Sequence, residues 1–152
     1  MRSDSKSCKT KKRQVGAPSA EHHRKAREAR ASEIAHDYVE VIDDLIKAGS
    51  EARLVDIARR LGVTHVTVNR TVARLRKQGL VISERYRSIF LTEAGKKLAE
   101  QVRRRHRIVL NFLLSLGIRE GIARTDAEGI EHHVSKATLR AFERHIAGKN
   151  RN

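Results

Sequence analysis

The stretch Glu128-Gly129-Ile130-Glu131-His132-His133 combines residue types that bind metal ions. If this stretch is helical, Glu128, Glu131 and His132 occupy positions i, i+3 and i+4, which share one face. Two carboxylates and one imidazole on one face can ligate a divalent cation, but they are too few to complete its coordination sphere. An alternative stays open, because Thr125 and Glu128 also fit a capping box, with Glu131 and His132 exposed to solvent.

Three more candidates lie on two other predicted helices, over residues 32–47 and 93–116. Asp37 and Glu40 flank an apolar stripe, where an isolated acidic pair is more typical of a solvated edge. His106 fills the gap in a second stripe, a position more often taken by a hydrogen-bonded core histidine. The full set contains four carboxylates, two imidazoles and no thiolate, which suits Mn(II), tolerates Fe(II) and could take Zn(II). The six candidate ligands are Asp37, Glu40, His106, Glu128, Glu131 and His132.

Residues 54–76 have the pattern of a helix-turn-helix. Gly62 permits a tight turn after a short helix, and Thr64 is placed to cap the next one. On that second helix Val68, Val72 and Leu75 would face inward. The outward positions predict contacts in a DNA major groove, with Arg70 long enough to pair with guanine and methyl groups available for thymine. The predicted contact residues are His65, Val66, Thr67, Arg70 and Arg74. The alternative is an ordinary helical hairpin with a basic outer face.

Two short strands, predicted over 79–83 and 87–92, would form a wing after the recognition helix. Arg85 and Arg87 could there reach phosphate or the minor groove. Three helices are then predicted over 93–116, 119–133 and 135–147. They have little apolar core of their own, so we expect them to pack against a second subunit. The predicted fold is mainly α: a winged helix-turn-helix domain followed by an all-helical dimerisation domain.

Charge points to a polyanionic partner, because the chain carries a formal net charge of +15. Residues 1–30 contribute +7 and the remainder +8, so the folded part is basic in its own right. We expect a flexible basic tail over 1–30, a DNA-binding domain over 31–92 and a metal-binding dimerisation domain over 93–148. A single cysteine, Cys8, excludes an intrachain disulfide. No apolar run approaches the roughly 18 residues of a membrane span. With a single cysteine and no apolar segment after the basic N-terminus, a cytoplasmic location is the default expectation.

The ordered combination of these motifs resembles the diphtheria-toxin-repressor family of metal-dependent repressors, in its manganese-responsive branch. The resemblance is carried by Asp37-Tyr38-x-Glu40, the winged helix-turn-helix, Arg105-His106 and the 128–133 stretch, over about residues 32–147. It implies a homodimer that binds operator DNA, with two Mn(II) ions per subunit held by the six candidate ligands. It also implies repression of manganese uptake genes.

Two departures favour manganese over iron within the family. The iron-responsive branch has Met and Cys at the positions of Asp37 and Glu128, and its ancillary site needs Glu where this chain has Leu110. Its C-terminal SH3-like domain is also not expected here, since the sequence stops at Asn152. The alternative function is a winged-helix regulator that responds to Fe(II) or to a small organic ligand. An enzyme is not expected, because no nucleophile motif or HExxH arrangement accompanies the acidic cluster.

Overall fold

The structure is a computed structural model that describes residues 20–83 and 88–149. Within these ranges it contains six helices and one two-stranded sheet, which confirms the mainly α fold class. The elements in chain order are α1 (Ala20–Lys47), α2 (Leu54–Leu61), α3 (His65–Lys77), β1 (Val81–Ser83), β2 (Ile89–Leu91), α4 (Glu93–Ser115), α5 (Glu120–His133) and α6 (Lys136–Lys149). Arg85, Arg87 and Cys8 lie outside the described residues.

A first hydrophobic core joins α1, α2, α3, the sheet and the start of α4. The side chains of Val39, Ile42, Ile57, Val68 and Leu75 are completely inaccessible to solvent there. Burial of several such side chains, at roughly 1.5–3 kcal/mol each, provides the main stabilisation of a unit this small. The second half of α1 is therefore an integral part of the helix-turn-helix unit.

The turn of the helix-turn-helix has the predicted chemistry. Gly62 adopts φ 64°, a left-handed conformation that a residue with a Cβ rarely takes. The Thr64 hydroxyl then caps α3 by accepting a hydrogen bond from the Thr67 amide at 3.2 Å. These two features fix the angle between α2 and α3 and present the start of α3 to solvent.

The wing is an antiparallel pair in which Val81 lies opposite Leu91 and Ile82 opposite Phe90. Burial alternates along both strands, so Val81, Ile89 and Leu91 face the core while Ile82 and Phe90 face solvent. The Ile89 amide donates to the Ala52 carbonyl at 2.8 Å, which anchors the sheet to the segment between α1 and α2. Both strands are shorter than the sequence predicts.

The three C-terminal helices have a second core, which corrects the expectation that they have little core of their own. Val109 and Leu113 of α4 pack with Ala123, Ala127 and Leu139. The rings of Phe112 and Phe142 stack at a centroid distance of 3.9 Å. Small alanines on α5 allow the helices to approach closely, a form of packing that a count of large apolar residues does not reveal. Several apolar side chains nevertheless remain exposed here: Leu114, Leu116 and Ile122.

Helix α1 begins at Ala20, twelve residues before the predicted start, so the last third of residues 1–30 is helical. Glu21 and Lys25 form an i,i+4 ion pair at 2.9 Å, and Arg24 lies 3.8 Å from Glu28. Such pairs support a helix without tertiary contacts. All side chains from Ala20 to Arg30 are exposed, so this part of α1 has no apolar stripe from which a helix could be predicted.

Helices α1 and α4 are joined by Arg103, whose guanidinium donates to the carboxylates of both Asp43 and Asp44. Asp43 is 8% exposed and also pairs with Lys47 at 2.8 Å. Burial alone would raise the pKa of Asp43, but hydrogen bonds from Lys47 and Arg103 outweigh it and hold the pKa below its ordinary value. The helix-turn-helix unit is thus tied to the C-terminal helices by an ion-pair network.

Gly95 provides a test of the packing between α4 and the wing. A Cβ at this position would lie 2.1 Å from the Leu80 carbonyl oxygen, a backbone atom that cannot move aside independently. We expect Gly95→Ala to lower the free energy of unfolding by about 1–3 kcal/mol, the usual cost of overpacking. Chemical denaturation followed by circular dichroism measures this change. Gly121→Ala is the control, because its Cβ would meet open space; equal stability of the two variants would contradict the packing described here.

Candidate metal centre

The face of α5 that carries the acidic residues is directed toward the other helices. Glu131 is the most enclosed of the three, with a side chain 3% exposed, and His132 is 15% exposed. Glu128 lies at the rim, 71% exposed. The capping alternative is wrong, because Thr125 lies inside α5 and its hydroxyl donates to the Gly121 carbonyl. Glu131 and His132 are likewise not the solvated residues that this alternative requires.

Helix α4 contributes His106 to the same place. Its Nδ1 lies 2.9 Å from Glu131 Oε2, within hydrogen-bonding distance, and 3.8 Å from Glu128 Oε1. The alternative that His106 is a hydrogen-bonded core histidine is therefore correct in part. Its partner, however, is one of the candidate ligands, so the imidazole belongs to the cluster as well as to the seam between α4 and α5.

Helix α1 supplies the acidic pair from the other side. His132 Nε2 lies 3.7 Å from Asp37 Oδ1 and 3.5 Å from Glu131 Oε1. Glu40 lines the same cleft as His106, and its negative charge raises the pKa of Glu131. The structure thus brings together residues that are separated by up to 95 positions in the chain.

Electrostatic strain is concentrated on Glu131. Its pKa is raised to about 8, first by burial and then by the carboxylates of Glu40 and Glu128, while the Arg105 guanidinium opposes the rise. The pKa values of Asp37 and Glu40 are also raised, and burial is the largest cause in both. Near neutral pH the metal-free cluster therefore holds a proton that a cation would displace.

The donor chemistry fits a divalent metal, although the present side-chain positions do not yet form a coordination sphere. No group of three or more His, Cys, Asp or Glu side chains in the described ranges is arranged to hold an ion as it stands. The reason is that the donors face one another, as in the contact between His106 and Glu131. Side chains such as His106 and Glu131, which lie 2.9 Å apart, would have to rotate for their donor atoms to meet at a common centre. Oxygen-rich donors of this kind suit a hard cation.

Arg105, which the sequence analysis named only as part of the Arg105-His106 motif, has a structural role at the site that was not predicted. Its guanidinium donates to the backbone carbonyls of Glu131 and of Val134, the latter at 2.8 Å. These carbonyls lie at the C-terminal end of α5, where helices leave acceptors unsatisfied. Arg105 therefore fixes the end of α5 that carries the cluster. No sequence signal could have revealed this, because the contact depends on how α4 crosses α5.

Two other residues on α1 lie beside the cluster without having been predicted. The ring of His36 stacks on that of His132, at a centroid distance of 5.8 Å. Glu33 Oε1 lies 3.5 Å from Nε2 of His133, the residue one position off the predicted ligating face of α5. Their signal was visible in the sequence, since Glu33, His36 and Asp37 repeat the i, i+3, i+4 spacing of the α5 cluster.

The candidate DNA-binding face lies at the start of α3. His65, Val66, Thr67 and Arg70 are all exposed, and Val66 is 61% exposed, which is unusual for so apolar a side chain. Arg74 differs, because it is half-buried and its Nε and Nη2 atoms are inaccessible to solvent. The two wing arginines of the prediction fall outside the described residues. Four of the five predicted residues on α3 thus form one accessible surface.

Comparison with known proteins gives two matches to family descriptions. Residues 31–89 match "Iron dependent repressor, N-terminal DNA binding domain". Residues 92–148 match "Iron dependent repressor, metal binding and dimerisation domain". Among curated relatives, the transcriptional regulator MntR of Escherichia coli O6:H1 is 53% identical over 122 residues, covering 80% of this chain and 79% of that protein. MntR of Salmonella typhimurium is 52% identical, covering 80% and 78%.

Solved structures give the same assignment. A chain described as "Manganese-dependent transcriptional repressor complex with manganese" superposes with a TM-score of 0.65 at 30% identity, covering 74% of this chain and 52% of its own length. The manganese regulator SloR gives a TM-score of 0.65 at 25% identity, covering 74% and 53%. The chain therefore spans about half the length of these solved relatives. No helix in the described ranges has the length and apolar character needed to cross a membrane.

These matches confirm the resemblance drawn from the motifs and exclude the enzyme alternative, since the relatives are transcriptional regulators. The chain belongs to the iron-dependent repressor family, also called the diphtheria-toxin-repressor family, of metal-dependent transcriptional repressors.

Proposed function

We propose that this protein is a Mn(II)-responsive repressor, which binds operator DNA as a homodimer when loaded with metal and represses manganese uptake genes. One observation carries the proposal: α1 of the DNA-binding unit and α5 of the C-terminal unit face each other with acidic and imidazole side chains, as in the 3.7 Å contact between Asp37 and His132. The manganese-dependent repressors among the relatives support the choice of ion. We further propose a cytoplasmic location and the division into residues 1–30, 31–92 and 93–148.

The proposed ligands would hold two Mn(II) ions in each subunit. They are Asp37, Glu40, His106, Glu128, Glu131 and His132. A bound pair of Mn(II) ions would supply the positive charge that allows four crowded carboxylates to remain ionised. The absence of sulfur donors from this set favours manganese over softer ions.

Helix α1 is the proposed link between metal and DNA. Val39 and Ile42 are buried in the core that supports α3, whereas Asp37 and Glu40 on the same helix face the cluster. A rigid helix transmits any restraint on its acidic residues to the core around it. In a dimer the two α3 helices would then be held at a spacing that matches successive major grooves, roughly 34 Å or a multiple. By linkage, operator DNA must tighten metal binding by the same factor.

Helix α3 is the proposed reading element. The exposed methyl groups of Val66 and Thr67 suit thymine, Arg70 suits a guanine edge, and His65 lies at the same end of the helix. Arg85 and Arg87 of the wing remain proposed phosphate or minor-groove contacts. Arg74 has the least support in the predicted set, because it is partly buried and its Nε and Nη2 atoms are inaccessible to solvent.

Removal of a rim ligand tests the centre without disturbing the core. Glu128→Ala should abolish the stimulation of operator binding by Mn(II), while the dimer stays folded because Glu128 is largely exposed. Fluorescence anisotropy with operator DNA, measured against Mn(II) and against chelator, gives the stimulation. Asp126→Ala on the same helix, also exposed, is the matched control. If Glu128→Ala responds to Mn(II) like the control, Glu128 is not a ligand.

Replacement of Arg70 tests base reading. Arg70→Ala should cost about 1–3 kcal/mol of operator binding and relax base preference at one position, because a bidentate contact to one base is lost. Binding to a panel of operators with single base changes measures both effects. Arg140→Ala, an exposed arginine on α6, serves as the control. A loss of affinity that is equal for all sequences would instead make Arg70 a phosphate contact.

The raised pKa of Glu131 predicts a proton linkage. Because this pKa is about 8 without metal, the carboxyl is protonated at pH 7 and must release its proton to ligate. Mn(II) affinity should therefore rise as pH increases from 6 to 9, with release of about one proton per subunit at pH 7. Calorimetry in buffers of different ionisation enthalpy counts the protons.

The same raised pKa also determines how the stability of the metal-free fold changes with pH. In the unfolded chain Glu131 loses its proton near pH 4.5, whereas in the folded chain it keeps the proton up to about pH 8. The free energy of unfolding should therefore fall as pH rises from about 4.5 to about 8. Glu131→Gln should remove this part of the pH dependence. If Glu131→Gln releases as many protons on binding Mn(II) as the wild type does, the released proton comes from another group.

A further inference from the structure

The first turns of α1 form a basic helix that no part of the proposed function uses. This basic arm, residues 20–30, carries four Lys/Arg and two Glu, hence +2, and all its side chains are exposed. Residues 1–19 precede it with six Lys/Arg and one Asp, hence +5. The arm lies outside both hydrophobic cores, and at 1.5 Å per residue it is about 16 Å long. Its exposed basic surface is therefore accessible to a partner.

Three arginines of the arm lie on the side of α1 that carries the helix-turn-helix core. Eleven residues make three turns of an α-helix, so residues 11 apart point in the same direction. Each of the three arginines precedes by 11 positions a residue of α1 that packs in the first core. The pairs are Arg24 and Ala35, Arg27 and Tyr38, and Arg30 and Val41. The basic side of the arm thus continues, beyond the core, the side of α1 that holds α2 and α3.

Two of these arginines have no anionic partner. Arg24 lies 3.8 Å from Glu28, in a long ion pair whose side chains are both 63% exposed. Arg27 and Arg30 form no ion pair with any residue that the structure describes. Like charges three residues apart on a helix surface repel each other. The stability of the helix therefore does not account for this pair of arginines.

The phosphate backbone of DNA matches the arm in charge, length and position. The arm joins the protein just before Ala35, which packs in the same core as Val68 and Val72 of α3, so it begins at the edge of the DNA-binding unit. One strand of DNA carries a charge every 3.4 Å, so an arm about 16 Å long spans about five phosphates. A guanidinium binds phosphate oxygens through two parallel hydrogen bonds.

We propose that Arg27 and Arg30 bind the phosphate backbone of the operator duplex and add affinity without reading bases. The inference rests on the proposed function, since it takes operator DNA as the partner of the arm. It adds an element to the DNA interface besides α3 and the wing. The proposed ligands Asp37 and Glu40 follow on the same helix, so the element that carries metal ligands also positions these two arginines.

The salt dependence of operator binding tests this proposal. The full-length protein, saturated with Mn(II), is titrated with operator DNA at several KCl concentrations. Each phosphate contact that is lost lowers the slope of log K against log salt concentration by about 0.9. Arg27→Gln/Arg30→Gln should therefore lower this slope by about 1.8 per subunit. The loss should be the same for operators with single base changes, because phosphate contacts do not depend on sequence.

A matched variant removes the same charge from another helix. Arg140 and Arg144 of α6 are exposed, so Arg140→Gln/Arg144→Gln should keep the wild-type slope. Glutamine is a good helix former, and circular dichroism should show equal helix content in both variants.

Equal slopes in the two double variants would overturn the proposal, because the charge of the arm would then not contact DNA. A loss of affinity confined to particular operators would also overturn it, since phosphates are the same in every sequence. Failure of the proposed function is a separate result: the wild-type protein itself would then bind operator DNA equally well with Mn(II) and with chelator.

Discussion

Crowding of carboxylates around Glu131 is the interaction on which the rest of the structure depends. A buried carboxylate beside two others cannot remain ionised cheaply, because water is excluded and like charges repel at short range. The protein reduces this cost in three ways: through His106, which lies 2.9 Å away, through the Arg105 guanidinium, and through protonation of Glu131 itself. Each of these is a substitute for a cation. A metal ion that binds the cluster would therefore act on α1, α4 and α5, the helices that carry these charges.

Helix α1 connects the cluster to the helix-turn-helix core. Its apolar side is part of the helix-turn-helix core, and its acidic side faces α4 and α5. Successive turns of α1 meet the C-terminal helices through charged side chains: Asp37 and Glu40 lie at the cluster, and Asp43 and Asp44 bind Arg103 of α4. The arginine pair is permanent, since a guanidinium is always charged. We interpret this ion pair as a constant link between α1 and α4. The contacts of Asp37 and Glu40, about one turn away on α1, instead depend on the charge of the cluster.

Sequence reasoning worked best where a local pattern has one physical meaning. Gly62, the Thr64 cap and the spacing of Val68, Val72 and Leu75 describe a helix-turn-helix whatever surrounds it, and the structure has it as predicted. The reasoning was wrong where burial is decided by distant contacts. The early start of helix α1 is a separate, local case, because exposed i,i+4 ion pairs rather than an apolar stripe support its first turns. The C-terminal helices have a core of their own, because Ala123 and Ala127 allow close packing without large side chains. Arg74 is half-buried, although its position on α3 suggested a free arginine.

The sequence by itself determined the residue types of the metal cluster, the helical spacing that puts Glu128, Glu131 and His132 on one face, and the family to which the motifs point. These follow from local geometry, since a helix fixes the direction of its side chains over a few residues. Only the tertiary structure decided that Asp37 meets His132, that Arg105 closes the end of α5, and that Glu33 lies beside His133. Those contacts join residues 26 to 100 positions apart, and they depend on how three helices cross. No short-range pattern records that crossing, because it results from the packing of the whole core.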